Sequence, residues 1–130
     1  MPTILIVDDD DAIRGILFEV LSEKYECHTA SRAEEALQYL EVENYDAIVT
    51  DLAMPGLDGV SLLKRVQMRD RDTPVILISG KGGGQLADQL IALGAFAYLG
   101  KPFDLEELEQ VIERAVEKPS LDPLLERDRL

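Results

Sequence analysis

Two acidic features stand out in this chain for the chemistry they could perform. Four aspartates, Asp8, Asp9, Asp10 and Asp11, follow directly on the apolar run Ile4-Leu5-Ile6-Val7, and a single aspartate, Asp51, ends the run Ala47-Ile48-Val49-Thr50. Adjacent carboxylates repel, and bringing Asp51 to the same place raises that cost unless a cation intervenes or a proton is retained. A purely oxygen ligand set suits a hard divalent ion, and Mg²⁺ typically takes one or two carboxylates, waters and a phosphoryl oxygen. Asp10 and Asp11 also suit the cap and first turn of a following helix, where acids meet free N–H groups. Asp8 and Asp9 come too early for that role. Two further groups end apolar runs: Ser79, beside the unobstructive Gly80, and Lys101, whose side-chain direction Pro102 can fix through a tight turn or a cis peptide. An ammonium aimed at the acids could pair with a carboxylate and with a transferred phosphoryl group.

The elements that must carry these residues can be read from the pattern. Thr3–Val7, 47–50, 75–78 and 97–99 are short, continuous apolar runs with polar or glycine punctuation, as expected of strands buried on both faces, and Glu26–Ala30 is a weaker fifth candidate. Between them lie stripes with helical spacing: Ile13, Ile16, Leu17, Val20 and Leu21; Ala33, Ala36, Leu37 and Leu40; Leu62, Leu63 and Val66; Leu86, Leu90 and Leu93; Leu105, Leu108, Ile112 and Ala115. Ser31, Asp58 and Asp104 are N-cap candidates, and Gly94 should stop the fourth helix. Strand and helix alternate five times, which predicts an α/β fold: one parallel sheet, doubly wound, with helices on both faces. In such sheets ligands bind at the carboxyl ends of the strands, and that is where the acids, the hydroxyl and the amine all fall.

Composition narrows the partners. The chain has 130 residues, the size of one domain, and 26 acids against 13 bases give a net charge of −13. That balance disfavours direct nucleic-acid binding and favours cations and basic protein surfaces. No apolar stretch is long enough for a membrane span, and the N-terminus lacks the pattern of a signal peptide. The single cysteine, Cys27, reads as a small core residue in a reducing cytosol, and His28, in the second strand, as structural. Residues 119–130 read as a C-terminal tail or linker, with Leu121, Leu124 and Leu125 able to form one amphipathic turn.

Taken together, and in order, the stretches ILIVDDD, AIVTDLAMPGLDG, VILISG and GAFAYLGKPF resemble the receiver domain of two-component response regulators over about residues 3–117, which places a receiver domain at residues 1–118. The resemblance implies a flavodoxin-like fold with strand order 2-1-3-4-5. It implies that Asp51 is the phospho-acceptor, and that Asp8, Asp9, Asp51 and the backbone carbonyl of Ala53 hold Mg²⁺. Lys101 would contact the phosphoryl group, and Ser79 and Tyr98 would form a switch pair, although Tyr98 also reads as a core-edge aromatic with its hydroxyl in water. The expected function is a signalling switch and not an enzyme acting on other substrates. Its expected donor is a phosphohistidine on a histidine kinase or histidine phosphotransfer protein. A downstream protein, an output domain or a second copy of the chain would then meet the face of helix four, strand five and helix five. The run Gly82-Gly83-Gly84 departs from the family pattern. No output domain fits in the tail, so either a single-domain regulator or part of a longer one is expected. Two other readings stay beside this one: a Mg²⁺-dependent phosphohydrolase with an aspartyl-phosphate intermediate, against which Ala12 stands where such enzymes carry Thr or Val, and a receiver-like module that is never phosphorylated.

Overall fold

A computed structural model describes residues 1–80 and 84–117. Five strands and five helices alternate as β1 (Thr3–Val7), α1 (Asp11–Leu21), β2 (Glu26–Ala30), α2 (Ala33–Val42), β3 (Ala47–Asp51), α3 (Gly59–Arg69), β4 (Val75–Ser79), α4 (Gly84–Ala92), β5 (Ala97–Gly100) and α5 (Leu105–Glu117). All neighbours pair in parallel, in the order β2-β1-β3-β4-β5. Residues 81–83, with Gly82 and Gly83, and the tail from 118 lie outside the described residues.

Strand side chains alternate between faces, and the sheet divides its apolar residues accordingly. Leu5, Val7, Ile48, Val75 and Leu77 pack with Ala33, Ala36, Leu62, Leu63 and Leu90 from α2, α3 and α4. Ile4, Ile6, Val49, Ile76 and Ile78 pack on the other side with Leu17, Leu21, Leu108 and Ile112 from α1 and α5. Each fully buried Leu, Ile or Val among them stabilises the fold by roughly 1.5–3 kcal/mol. β2 is an edge strand, which is why its sequence, Glu-Cys-His-Thr-Ala, is the least apolar of the five. Cys27 is half-buried against the α1/α5 side.

Three details differ from the sequence reading. Strands β3, β4 and β5 each run one residue further, because the backbone ladder continues after the apolar pattern stops: Asp51 pairs with Ile78 and Ser79 with Gly100. Ser31 is not the cap of α2. Arg32 occupies that position without a side-chain cap, and Ser31 instead donates its N–H and hydroxyl to Glu35 Oε1 at 2.8 and 3.1 Å. Ile16, Leu93 and Leu105, expected on the buried stripes, are 50%, 44% and 36% exposed; Leu93 lies past the end of α4, where Gly94 turns the chain with φ +112°, and Leu105 is the first residue of α5. The remaining caps agree with expectation. Asp10 accepts from Ala12 and Ile13 N–H, Asp58 from Ser61 and Asp104 from Glu106.

Candidate functional site

Parity along the strands decides which residues meet at the carboxyl edge. Asp8 continues the Ile4/Ile6 face of β1, and Asp51 continues the Ala47/Val49 face of β3, so both leave the sheet on the α1/α5 side. One carboxylate oxygen each from Asp8, Asp9 and Asp51 lies within 4.8 Å of the others. Asp8 is almost fully buried, Asp51 is buried, and Asp9 is exposed.

Lys101 reaches the same point from β5. The Lys101–Pro102 bond is cis, the Lys101 N–H donates to the Ser79 carbonyl at 2.7 Å, and Nζ lies 3.4 Å from Asp51 Oδ1 and 3.7 Å from Asp8 Oδ2. Among the described residues this one ammonium faces two buried carboxylates and does not compensate both. Burial pushes the Asp8 carboxyl above its ordinary value, against the opposing pull of the Asp10 N–H on Oδ1 and of Lys101. Burial raises Asp51 too, and the charge on Asp8 adds to it. Among the described residues the buried Asp8 Oδ2 has no hydrogen-bond partner. Buried polar atoms are normally satisfied, and an unsatisfied carboxylate oxygen facing two other acids is what a hard divalent cation would complete. The donor set therefore fits Mg²⁺.

Ser79 and Tyr98 fall on the opposite face. Ser79 has the parity of Val75 and Leu77, and Tyr98, opposite Leu77 in the register, is half-buried against that same α2/α3/α4 cluster. By strand parity the two share a side of the β4–β5 edge. Ala53 lies in the exposed loop after β3. His28 is remote in partners: its Nδ1 meets the Tyr45 hydroxyl at 2.8 Å and its Nε2 meets Glu26 Oε2 at 3.1 Å.

Gly59 is a site residue that sequence reasoning did not single out. A Cβ there would lie 2.6 Å from the Asp51 carbonyl oxygen and 2.8 Å from Leu52 Cα, and the Gly59 N–H donates to Leu52 O at 2.8 Å. The first turn of α3 thus rests directly on the backbone of Asp51. The signal was present: a glycine opening a helix right after its Asp58 cap is conformationally unfavourable unless two backbones must approach.

Comparison with known proteins agrees with this geometry. The model for the response regulator receiver domain matches residues 4–113. The regulatory protein AtoC of Escherichia coli is 35% identical over 119 residues, covering 91% of this chain and 26% of AtoC, so the chain spans about a quarter of that relative's length. Response regulator TrrA of Thermotoga maritima, solved in complex with Mg²⁺ and beryllium fluoride, superposes with TM-score 0.79 at 33% identity over 88% of this chain and 99% of TrrA. The beryllofluoride-activated NtrC4 receiver domain dimer gives TM-score 0.84 at 34% identity over 90% and 98%. With the sheet order, an acid cluster at its carboxyl edge and a family match over most of its length, the chain belongs to the receiver domains of response regulators, signalling switches of two-component systems.

Proposed function

We propose that Asp51 of this receiver is the phospho-acceptor, and that Asp8, Asp9, Asp51 and the Ala53 carbonyl hold Mg²⁺ beside it. The observation that carries the reading is an acid trio in which the buried Asp8 Oδ2 accepts no hydrogen bond and, among the described residues, Lys101 is the one compensating cation. An Asp51 oxygen attacks the phosphorus of a phosphohistidine, the P–N bond breaks, and its electron pair stays on the imidazole, which takes up a proton. When bound, Mg²⁺ supplies positive charge to the phosphoryl oxygens. Lys101 Nζ, already 3.4 Å from Asp51, neutralises charge on the same group and orients it. Water later attacks the phosphorus, the P–O bond breaks, and Asp51 is regenerated. The domain promotes these steps on itself alone.

The donor is a histidine kinase or histidine phosphotransfer protein in the cytoplasm. Phosphorylation adds negative charge and strong acceptor oxygens at Asp51. Ser79 moves to meet them, and Tyr98, on the same face as Ser79, turns into the vacated space. The face of α4, β5 and α5 then binds a downstream protein, an output domain or a second copy. Ile91 and Leu93, 47% and 44% exposed, give this region apolar contact surface, and the NtrC4 neighbour is a dimer in its activated form. Residues 1–118 form the receiver and 119–130 a tail or linker.

Incubation with acetyl phosphate and Mg²⁺ tests the acceptor. Intact mass should rise by one phosphoryl group in the native chain and not in Asp51→Asn. An undiminished gain in that variant, with no substitute acid found by peptide mapping, overturns the assignment.

A further inference from the structure

The four consecutive aspartates divide among three roles, and one side chain on α1 touches the first and the last of them. Asp8 points into the cluster, Asp10 caps α1, and Asp11 pairs with Arg14. The Arg14 guanidinium donates through Nη1 to the Asp8 carbonyl at 2.7 Å and through Nη2 to Asp11 Oδ1, with its side chain only 21% exposed. Among the described residues the Asp9 carboxylate has no hydrogen bond or ion pair, so only its own rotamer and the main chain that carries it direct it. The Asp8 carbonyl belongs to the same rigid peptide plane that leads into Asp9. Pinning that oxygen therefore restricts the orientation of the peptide from which Asp9 projects.

We propose that Arg14 is a positioning residue for the cation site: its fork holds the Asp8–Asp9 peptide so that Asp9 faces Asp8 and Asp51, and it keeps Asp11 turned away. This rests on the reading of the acid trio as a Mg²⁺ site. The planar fork matters as well as the charge, because two nitrogens must meet a carbonyl and a carboxylate in a fixed relation, which a lysine ammonium cannot reproduce. A purely electrostatic role predicts the reverse sign, since removing a cation near the site would strengthen Mg²⁺ binding.

The test is Mg²⁺ titration by NMR on the native chain, Arg14→Met, Arg14→Lys and Asp11→Asn, each at a temperature where thermal melts show it folded. Losing a group that orients metal ligands typically costs ten- to a hundredfold in affinity, so both Arg14 variants should bind at least about tenfold more weakly, with Asp11→Asn close to native. In metal-free protein the Asp10 amide, which donates to Asp8 Oδ1 at 2.9 Å, should exchange faster in both Arg14 variants. Native affinity in Arg14→Lys, or tighter binding in Arg14→Met, overturns the positioning role while leaving the site intact. Absence of Mg²⁺-induced shifts at Asp8, Asp9 and Asp51 in the native chain overturns the site itself, and the inference with it.

Discussion

Two polar clusters lie on this sheet, and they are built in opposite ways. Around β2, His28 has a partner on each ring nitrogen, the Tyr45 hydroxyl on one side and Glu26 on the other, and its ring meets that of Tyr45 edge-on at 5.4 Å. At the carboxyl edge of β1 and β3, three carboxylates cluster, two of them beside Lys101, and among the described residues the buried Asp8 Oδ2 accepts no hydrogen bond. The first cluster is complete as folded. The second, on the reading proposed above, is completed by a bound cation. Polar satisfaction, more than polarity or burial, separates a structural cluster from a site that waits for a ligand.

The comparison breaks first, and most, at Lys101. If its ammonium is the cluster's fixed counter-charge, Lys101→Met should slow phosphorylation from acetyl phosphate by about a hundredfold, the usual cost of removing one group that stabilises transition-state charge. Stopped-flow or quenched mass measurements would show it. A rate within about threefold of native would mean that Lys101 is a bystander.

The second largest effect is expected at Gly59, where the site depends on main chain alone. A methyl group 2.6 Å from the Asp51 carbonyl cannot be accommodated without moving α3 or β3. Gly59→Ala should lose about 1–3 kcal/mol in urea unfolding, as overpacked positions do, and should accept phosphate more slowly because the acceptor backbone shifts. Equal stability to native would show that the turn yields freely.

How the sequence announced each region follows from what sequence can display. Asp8, Asp9, Asp51 and Lys101 were legible because each interrupts an apolar run, and in a parallel sheet such interruptions fall at the functional edge. The strand ends were one residue short because a ladder is made of backbone, and Asp51 or Ser79 extends it whatever its side chain. The role of Gly59 was hidden for a similar reason: close approach of two backbones leaves no mark except a missing side chain. Ile16 and Leu93 follow the helical stripe yet face outward, since periodicity gives a face of the helix and not the width of what covers it. Ser31 lost the cap to Arg32 because Glu35, four residues on, offered its N–H and hydroxyl a charged acceptor.

A smaller effect separates the clusters through pH. Burial raises both Asp8 and Asp51 in the folded protein, so the folded state holds their protons more tightly than the unfolded chain. Stability from this source is present below the ordinary Asp value of about 3.9, falls as pH rises from there through the raised values, and stays lost at neutrality. Asp8→Asn should therefore be more stable than native at pH 7 in EDTA by about 1–2 kcal/mol, the scale of a buried unsatisfied group, and the gap should close as pH falls toward 4. Mg²⁺ should stabilise the native chain and not the variant to the same degree, because binding to the folded state alone adds RT ln(1 + [L]/Kd). Urea melts across pH, with and without Mg²⁺, would show both; a native chain more stable than Asp8→Asn in EDTA at pH 7 would mean the carboxylate is already satisfied.

The smallest effect belongs to the satisfied cluster and should stay there. Tyr45 is 6% exposed, and burial first, then the nearby Glu43, raises its hydroxyl to about 12, so it remains a neutral donor or acceptor to His28 at any working pH. Tyr45→Phe keeps the ring and its edge-on contact but strands His28 Nδ1, which is partly buried. The expected cost is about 1 kcal/mol, that of one neutral hydrogen bond. Because the cluster shares no hydrogen bond with Asp8, Asp51 or Lys101, Mg²⁺ affinity and phosphorylation rate should stay within about twofold of native, as distant sites act independently. If Tyr45→Phe instead weakened Mg²⁺ binding tenfold while costing little stability, the two clusters would be one coupled system, and satisfaction of hydrogen bonds would no longer distinguish scaffold from site in this sheet.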